Sequence, residues 1–289
     1  MGMDISVYFI KSAYTHNGVF HADDVFASAL LKMINPKIEI IRVSDVSSLP
    51  DTGNELVFDI GGGRFDHHQK NSEVRDNGVP YAAFGLLWRE FGHYLLDDPK
   101  ACQKFDACFV QAIDLTDNGG QSNTLSSAIS ALNPSWDSDK SADDLFANVA
   151  VPLAKTIMES SISRIKSEIR GMRIVNNSLA EMSARNDTIC VLPRFVPWMN
   201  ILPGTNANFV VFPGLRGGWN VQGVPISPGS RELKIKFPAS WRGLSNPQLS
   251  KVADIESITF CHNAGFMAVC DTRYDAIKAA RKAIFEAEV

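Results

Sequence analysis

Histidine and aspartate side chains are concentrated in the first half of the chain, close to the ends of predicted strands. Carboxylate oxygens and neutral imidazole nitrogens are ligands that Mn²⁺, Mg²⁺, Zn²⁺ and Fe²⁺ take from proteins. The candidates, in chain order, are His16, His21, Asp23, Asp24, Asp59, Asp66, His67, His68 and Asp114. This set is large enough for two ions, which activate water and clamp the attacking and leaving oxygens of a phosphoryl displacement. The sequence therefore predicts two-metal phosphoester chemistry, with Asp59 as the carboxylate shared between the ions.

The tripeptide Asp66-His67-His68 follows a glycine-rich turn. Residues 56–60 form an apolar run that predicts a buried strand ending near Asp59. Ligands bind at the carboxyl ends of strands in open α/β sheets, so the turn is expected to bring the tripeptide beside Asp59. Taken alone, Asp-His-His is equally compatible with a polar surface turn. The other histidine and aspartate clusters in the same half of the chain favour a metal site.

Two further acidic positions have simpler alternative explanations. Residues 14–24 predict a loop between a strand at 7–10 and an amphipathic helix from Val25 to Ile34. Asp23 or Asp24 could cap that helix, since aspartate is a good N-cap residue, but capping does not account for the neighbouring histidines. Asp114 lies near the end of a predicted helix over 101–115, where it opposes the helix dipole. Cation binding explains that placement, and simple exposure is the alternative.

The remaining pattern predicts an α/β protein with a change of character after residue 185. A second strand is expected at 38–43, a helix at 82–91, and a long helix at 143–172 that Pro152 kinks. Short β-rich runs separated by proline and glycine then predict strands at 188–192, 208–212, 220–224, 234–237, 258–261 and 267–270, with a last helix over 274–287.

Composition places limits on the partners and the compartment. The chain has 289 residues, a formal net charge of −4 and five cysteines without a Cys-x-x-Cys pair. The charge implies no general attraction to nucleic acid or membranes, so an anionic substrate requires a local basic patch or bound metal. The cysteine pattern, with no signal peptide and no membrane-spanning run, predicts a cytoplasmic or otherwise intracellular, reducing location, and a eukaryotic organelle stays open. The sequence also leaves a homodimer open.

The C-terminal part contains candidate contacts for phosphate groups. Arginine binds phosphate bidentately, and glycine allows a backbone to approach it closely. The candidate substrate-binding residues are Arg216, Gly217, Gly218, Arg231, Arg242 and His262. This part lacks an obvious platform of alternating aromatic and basic residues for successive bases, although Trp198, Trp219 and Trp241 could stack on bases if exposed.

Four motifs, in this order along nearly the whole chain, resemble the MYG-type (UPF0160) branch of the DHH phosphoesterase superfamily. They are Thr15-His16-Asn17-Gly18-x-Phe20-His21-x-Asp23-Asp24, Phe65-Asp66-His67-His68-Gln69, Trp241-Arg242-Gly243-Leu244 and Cys261-His262-x-x-Gly265-Phe266. The resemblance implies a parallel-sheet DHH catalytic domain over 1–140, a linker helix over 141–184 and a smaller α/β substrate-binding domain over 185–289.

The resemblance also assigns roles within the site. It implies that the metal ligands are His16, His21, Asp23, Asp59, His67 and Asp114. Asp66 would support the site, His68 would face the substrate phosphate, and Asp24 would be either a ligand or a support for one. His21 stands where the superfamily usually has its first aspartate, and histidine shifts metal preference towards ions softer than Mg²⁺. Mn²⁺ is the first choice, with Mg²⁺, Zn²⁺ and Fe²⁺ as alternatives.

We therefore predict a metal-dependent phosphodiesterase, a 3′-to-5′ exonuclease on short RNA or DNA that uses a two-metal-activated water. The nearest alternative is a phosphoesterase of small molecules such as pyrophosphate, a nucleoside bisphosphate or a cyclic dinucleotide. A non-catalytic protein that binds metal or nucleotide is the alternative from another class.

Overall fold

The computed structural model describes residues 8, 10–47 and 55–288, which form a mixed α/β protein. The chain divides into two compact units, Met1–Lys166 and Ser167–Val289. The boundary falls inside the longest helix, and the predicted limits at 140 and 185 stay predictions. No helix within the described residues is both long and apolar enough to cross a membrane.

The first unit contains a parallel sheet that, among the described residues, has three strands in the order β2–β1–β3. These strands are β1 (Ser12–His16), β2 (Glu39–Val43) and β3 (Glu55–Val57). The register pairs Tyr14 of β1 with Val57 of β3, so both strands end at the same edge of the sheet. Of the strand predicted at 7–10, two residues lie outside the described part of the chain, and the two described ones, Tyr8 and Ile10, are not in a strand. The segment expected to begin the loop, from Tyr14 to His16, is instead the end of β1.

Helices of the first unit pack on one another through aromatic side chains. Their bounds are α1 (Ala22–Ile34), α2 (Ala83–Phe91), α3 (Pro99–Phe105), α4 (Gln111–Asp117), α5 (Thr124–Ser130) and α6 (Ala142–Leu145). The rings of Phe26 in α1 and Phe84 in α2 lie 5.7 Å apart, and Phe109 packs edge-on against Phe26. A π-helical segment at Asp106–Val110 joins α3 to α4. The helix predicted at 101–115 is therefore one continuous helical run whose middle is wider than an α-helix.

The long helix begins earlier and ends later than predicted. It continues from α6 through a π-helical segment, Phe146–Ala150, into α7 (Val151–Ala184). Pro152 lies directly after that segment. Because proline lacks an N–H and its ring crowds the carbonyl four residues earlier, the wider turn before it accommodates Pro152 within the helical run. The kink at Pro152 stays a prediction.

The second unit contains a five-stranded mixed sheet in the order β4–β5–β6–β8–β7. The strands are β4 (Ile189–Val191), β5 (Phe209–Pro213), β6 (Trp219–Gly223), β7 (Ile258–Cys261) and β8 (Met267–Cys270). Helices α8 (Gln248–Ala253) and α9 (Arg273–Glu288) pack on one face in an apolar core that includes Val211, Val221 and Ala268. A second core on the opposite face joins β4 and β5 to Val175 and Met182 of α7.

The strand predicted at 234–237 is wrong. Only one isolated bridge, between Pro225 and Leu233, forms in this region, and the backbone N–H of Lys234 donates to Val224 O. The Lys234 ammonium then donates to the carbonyl of Ala207, which holds the segment against the loop before β5. Proline at 225 cannot donate to a ladder, so the pairing does not extend.

Candidate metal centre

His16 and Asp59 meet at the carboxyl edge of the parallel sheet. His16 is the last residue of β1, and Asp59 lies two residues beyond β3. The Nε2 atom of His16 lies 3.2 Å from Oδ2 of Asp59 and 3.3 Å from Oδ2 of Asp24, which extends from the first turn of α1. Both carboxylates are buried. One imidazole and two carboxylates from three separate elements therefore converge at this edge.

The chain leaves the extended conformation at Asp59, which the sequence pattern placed within a strand. Asp59 has a positive φ of 58°, a conformation that aspartate tolerates better than most residues, and its N–H donates to Phe65 O. Gly61 and Gly62 also have positive φ, of 87° and 71°. The strand ends at Val57 because this left-handed turn, and not an extended backbone, follows it. The turn brings the Nδ1 atom of His67 to 3.3 Å from Oδ1 of Asp59.

Asp66 fixes the conformation of this turn. Its carboxylate accepts hydrogen bonds from Gly62 N at 2.7 Å and His68 N at 3.1 Å, and it also bonds to Nδ1 of His68 at 2.7 Å. Burial alone would raise the pKa of Asp66, but these hydrogen bonds outweigh it and lower the pKa. The His68 ring is oriented by Asp66 and remains largely exposed to solvent. Asp66 therefore supports the turn, and His68 is the member of the tripeptide that can reach a bound molecule.

Asp117, at the end of α4, closes the cluster from a third direction. Its Oδ2 atom lies 2.8 Å from Nε2 of His67, and its Oδ1 atom lies 3.9 Å from Nδ1 of His21. Asp117 is not among the site residues predicted from the sequence. The spacing of Asp114 and Asp117 could have indicated that both face the same region, because residues three apart lie on the same side of a helix.

Asp114 does not belong to the cluster of histidines and aspartates around Asp59. Its carboxylate is fully buried and accepts hydrogen bonds from Arg75 Nη2 at 2.7 Å and Gly85 N at 3.1 Å. Arg75 also binds both carboxylate oxygens of Asp106, in the π-helical segment. Burial raises the pKa of Asp114 to about 7, although the charge of Arg75 acts in the opposite direction. This network ties α4 to α2 and to the loop containing Arg75, and thereby holds the helix that bears Asp117.

Three sets of side chains lie close enough together to bind a cation. Within each set, one potential ligand atom per residue lies within 4.8 Å of all the others. The sets are His16 with Asp24 and Asp59, then Asp59 with Asp66, His67 and His68, and finally His21 with Asp23 and Asp117. Asp59 belongs to two of them. Eight of the nine residues selected from the sequence are brought together in this way, and Asp114 is not.

Buried polar atoms without hydrogen-bond partners are concentrated at this centre. Both carboxylate oxygens of Asp23, Oδ2 of Asp24, Oδ1 of Asp59 and Nδ1 of His67 are buried and form no hydrogen bond. Outside the centre, such side-chain atoms among the described residues occur only in Thr15 and Trp198. Burying a polar group without a partner costs free energy, and native proteins rarely leave so many in one place. This donor set of carboxylate and imidazole atoms fits divalent cations.

Electrostatic shifts show that the carboxylates repel one another. Burial raises the pKa of Asp24 to about 8, and the charge of Asp59 adds to that effect. Burial, followed by the charges of Asp59 and Asp117, also raises the pKa of Asp23 well above its usual value. The hydrogen bond to Asp59 raises the pKa of His16 to about 9. Burial lowers the pKa of His67, but its bond to Asp117 and the charge of Asp59 outweigh burial, so the pKa rises. Protons therefore neutralise part of the negative charge that a cation would neutralise.

Comparison with known proteins places this centre in a family. Residues 12–284, most of the chain, match the sequence model of a group described as "Uncharacterised protein family (UPF0160)". The chain belongs to this family.

It is 28% identical over 320 residues to a protein of Rattus norvegicus named "MYG1 exonuclease", with 92% of this chain and 83% of that protein covered. The Homo sapiens protein of the same name is also 28% identical, with 92% and 84% covered. A Chlamydia muridarum protein named "MYG1 protein" is 30% identical over 285 residues, with 91% and 93% covered. No solved structure gives a significant match.

The centre of this UPF0160 protein opens into a small cavity. The cavity has a volume of about 280 Å³, and its lining includes His21, His68, Asp117, Ser126 and Ser130. The two histidines are the most exposed side chains of the centre, with 55% and 63% of their surface accessible. These two imidazoles are therefore the groups of the centre that are most accessible from the cavity.

Arg42 positions the loop that follows β1. Its Nε atom donates to His16 O at 3.1 Å, and its Nη2 atom donates to Gly18 O at 3.0 Å. The guanidinium lies over the rings of Phe20 and Phe146, at 5.8 Å and 4.5 Å from their centroids. Arg42 therefore joins β2 to the backbone of His16. This role is not predictable from the sequence, because nothing near Arg42 in the chain indicates its partners.

The predicted substrate-binding residues of the second unit occupy three places. Arg216, Gly217 and Gly218 form the turn between β5 and β6 and line a cavity of about 630 Å³. Arg231 is exposed in the loop after β6. Arg242 donates a hydrogen bond to Phe237 O and packs against Gly265. Gly265 and His262 both lie in the turn between β7 and β8.

Two of the three tryptophans considered for base stacking are buried, and the third is partly buried. Trp198 and Trp241 are each 1% exposed. Trp219 is partly buried against the core that contains α9, with Arg273 over its ring. These side chains are large apolar residues that complete the two cores of the second unit.

Proposed function

We propose that this protein is a metal-dependent phosphodiesterase, and specifically a 3′-to-5′ exonuclease on short RNA or DNA. The observation that carries the proposal is the concentration of buried, unpartnered carboxylate and imidazole atoms around Asp59. Relatives named as exonucleases, 28% identical over most of the chain, support a nuclease. The resemblance of the motifs to DHH phosphoesterases supports the choice of metal-dependent hydrolysis.

The side chains divide into two candidate ligand groups that share Asp59. His16, Asp24 and Asp59 would hold one ion. Asp59, His67 and Asp117 would hold a second, with Asp23 and His21 beside Asp117. Asp117 takes the place predicted for Asp114, because the Asp114 carboxylate is occupied by Arg75 and Gly85. Divalent ions held there would polarise a phosphate oxygen and lower the pKa of water. Mn²⁺ remains our first choice, since oxygen and imidazole ligands both suit it.

The remaining residues of the centre would orient the substrate. His68, held by Asp66, and His21 both line the cavity, where they can donate hydrogen bonds to phosphate oxygens. Arg216, Arg231, Arg242 and His262 remain candidate phosphate contacts of the second unit. The five cysteines form no disulfide, which agrees with the proposed intracellular, reducing location.

A small-molecule phosphoesterase is the second candidate. The cavity at the centre has a volume of only about 280 Å³, and the net charge of the chain is −4. Both features suit a compact anion whose charge is met by bound cations, such as pyrophosphate or a nucleoside bisphosphate.

One experiment separates these functions. The purified protein is incubated with an end-labelled RNA oligomer, and in parallel with pyrophosphate, in the presence of Mn²⁺, Mg²⁺ or chelator. We expect a metal-dependent ladder that shortens from the 3′ end. An intact oligomer with consumption of pyrophosphate would replace the exonuclease by the small-molecule enzyme. Bound metal without hydrolysis of either substrate would contradict both and indicate a non-catalytic binding protein.

Two variants control the experiment. His67→Ala removes an imidazole that contacts Asp59 and Asp117, and we expect turnover to be abolished while the fold is retained. His93→Ala is the matched control, because His93 is an exposed histidine of the same unit that belongs to none of the candidate cation sets. Wild-type rates in His67→Ala, in metal-stripped buffer with added Mn²⁺, would contradict the assignment.

A further inference from the structure

Over one half of the second unit's sheet, no helix of the described residues of that unit covers one of the two faces. On that face, the half formed by β4 and β5 packs against Val175 and Met182 of α7. Over β6, β7 and β8, the same face forms the floor of the cavity of about 630 Å³, and none of the described residues that line it belongs to a helix. We call this surface the open face and define it by Asn220, Gln222, Thr259, Met267 and Val269.

Strand register places four of these five side chains in two rows across the sheet. Asn220 pairs with Phe212 on one side and Val269 on the other, and Val269 pairs in turn with Phe260. In the second row, Gln222 pairs with Met267. Residues that pair across neighbouring strands project to the same side of a sheet. Two amide side chains therefore stand in the middle of the sheet, where a buried face would carry apolar residues.

Aromatic rings flank the open face on both sides. On the β5 side, Phe195 is 51% exposed, and its ring lies 5.3 Å from that of Phe212. On the β7 side, Phe260 and Phe266 are both exposed, and the imidazole of His262 lies 4.4 Å from the Phe266 ring. Exposed aromatic rings beside a sheet surface are suited to stacking against a planar ligand.

The polar groups of the open face have spare hydrogen-bonding capacity. Gln222 donates only to the sulfur of Met267, at 3.4 Å, which is a weak acceptor. The Asn220 amide forms no hydrogen bond within the part of the chain that the structure describes. Side-chain amides carry both a donor and an acceptor, which is the pattern that the edge of a nucleobase presents. A fatty chain would leave both amides unpaired.

The rim of the open face carries one arginine beside a glycine-rich turn. Arg216 lies in the turn between β5 and β6, where Gly217 has a positive φ of 91° and space around its Cα atom. Asp271 lines the same cavity at the same end of the sheet, because its neighbour Cys270 pairs with Trp219. A single-stranded nucleic acid fits this arrangement, because its phosphate can contact the arginine while its base lies over the neutral amides and rings.

We propose that the open face binds one or two bases of single-stranded RNA or DNA, with Phe195 stacking on a base and Asn220 and Gln222 bonding to its edge. A duplex is excluded as the ligand because its bases are stacked on one another and their edges are paired. The proposal rests on the proposed function, in which an oligonucleotide is the substrate. It adds a site for base recognition that is separate from the metal centre in the chain. The exposed aromatic rings that flank the open face come from separate segments of the chain, at residues 195, 260 and 266.

The test measures base-dependent binding in the full-length protein. Fluorescence anisotropy is recorded with a labelled oligoadenylate, and with an abasic oligomer of the same length, in chelator so that no cleavage occurs. We expect wild type to prefer the base-bearing oligomer. Phe195→Ala should weaken oligoadenylate binding by roughly 5- to 100-fold and weaken the abasic oligomer less, since stacking requires a base. Gln222→Met, which removes the amide and keeps the volume, should also reduce the preference.

Phe285→Ala is the matched control. Phe285 is an exposed phenylalanine of the same unit, 68% accessible on α9, and it does not line the open face. Equal oligoadenylate affinities for Phe195→Ala and Phe285→Ala would overturn the proposal, as would a wild-type protein without preference for the base-bearing oligomer.

The same protein preparation is also assayed for Mn²⁺-dependent cleavage of end-labelled RNA. Cleavage without base preference would reject the open face and keep the phosphodiesterase. Base preference that is lost in Phe195→Ala, without any cleavage, would keep the open face and reject the phosphodiesterase.

Discussion

Asp114 and Asp117 lie one helical turn apart on α4 and have different partners. Asp114 bonds to the buried guanidinium of Arg75 at 2.7 Å, whereas Asp117 lies 2.8 Å from the imidazole of His67. The first carboxylate thus holds the helix in place, and the second faces the candidate metal centre. Substitution of each aspartate by asparagine should therefore change a different property of the protein.

Asp117→Asn should weaken Mn²⁺ binding by at least about tenfold, because it removes a proposed ligand, while leaving the fold intact. Asp114→Asn should instead lower the free energy of unfolding by about 1–3 kcal/mol, since Arg75 loses a charged partner in a buried position. Mn²⁺ affinity is measured by calorimetry, and stability by urea unfolding of the metal-free proteins. Each variant is the control for the other. A larger loss of Mn²⁺ affinity in Asp114→Asn would reverse the assignment.

Metal binding should become tighter as pH rises from about 6 to about 9. In the metal-free protein, the pKa of His16 is raised to about 9 and that of Asp24 to about 8, so both groups hold protons at neutral pH. A cation must displace those protons, and binding therefore releases them. Calorimetry at pH 7 in buffers with different ionisation enthalpies measures the number released. A Kd for Mn²⁺ that does not change across this range would contradict the prediction, and His16→Gln should flatten the dependence.

The same shifts predict how the metal-free protein responds to pH. Both folded-state pKa values lie above the unfolded values of about 6.5 for histidine and about 3.9 for aspartate. The stability that comes from protonation of His16 is therefore fully present below pH 6.5 and is lost as pH rises through about 9, and Asp24 acts in the same direction. The thermal unfolding midpoint should fall between about pH 6.5 and pH 9. Saturating Mn²⁺ should reverse the fall, because it replaces the protons as counter-charge; an unchanged midpoint would argue against the buried cluster.

Arg42→Lys should weaken Mn²⁺ binding by about 10- to 100-fold, as expected when a group that orients a ligand is lost. Lysine keeps the charge but cannot donate simultaneously to His16 O and Gly18 O in the forked geometry of arginine. The control is Arg89→Lys, which alters a more exposed pair with Glu73 and should change metal affinity little. Equal affinities in the two variants would show that Arg42 does not position the loop.

Asp59→Asn should abolish metal-dependent turnover and raise the thermal stability of the metal-free protein. Asparagine tolerates the positive φ at this position, so the backbone turn can be kept. The substitution removes the carboxylate that the two candidate ligand groups share and reduces repulsion with Asp23 and Asp24. Thermal unfolding in chelator and RNA cleavage with Mn²⁺ measure the two effects. Lower stability with retained cleavage would contradict both parts. Asp76→Asn, at an aspartate outside the candidate sets, is the control.

Much of the local structure follows from the sequence because it depends on short-range patterns. The helix from Ala22 to Ile34 begins three residues before its predicted start at Val25 and ends before Pro36, and β2, β5 and β8 lie within one residue of their predicted bounds. The chemical type of the centre follows for the same reason. Histidine and aspartate at the ends of adjacent parallel strands must lie near one another, since those ends share an edge of the sheet.

The contribution of each acid could not be predicted from the same information. Asp114 and Asp117 differ by three positions on one helix, and the placement of α4 depends on the contacts of Asp114 with Arg75 and Gly85, which are distant in the chain. Likewise, Asp59 leaves the strand pattern because a left-handed turn follows β3, and its apolar neighbours give no sign of this.

The sequence by itself determined the family, the order of most helices and strands, and the ligand chemistry of the centre. It did so because hydrophobic periodicity and motif spacing are properties of contiguous residues. The tertiary structure alone decided that Asp117 and not Asp114 contacts His67, that Arg42 holds the loop of His16, and that residues from four separate segments surround the open face. Those relationships depend on helix rotation and strand register, which are set by packing between residues far apart in the chain.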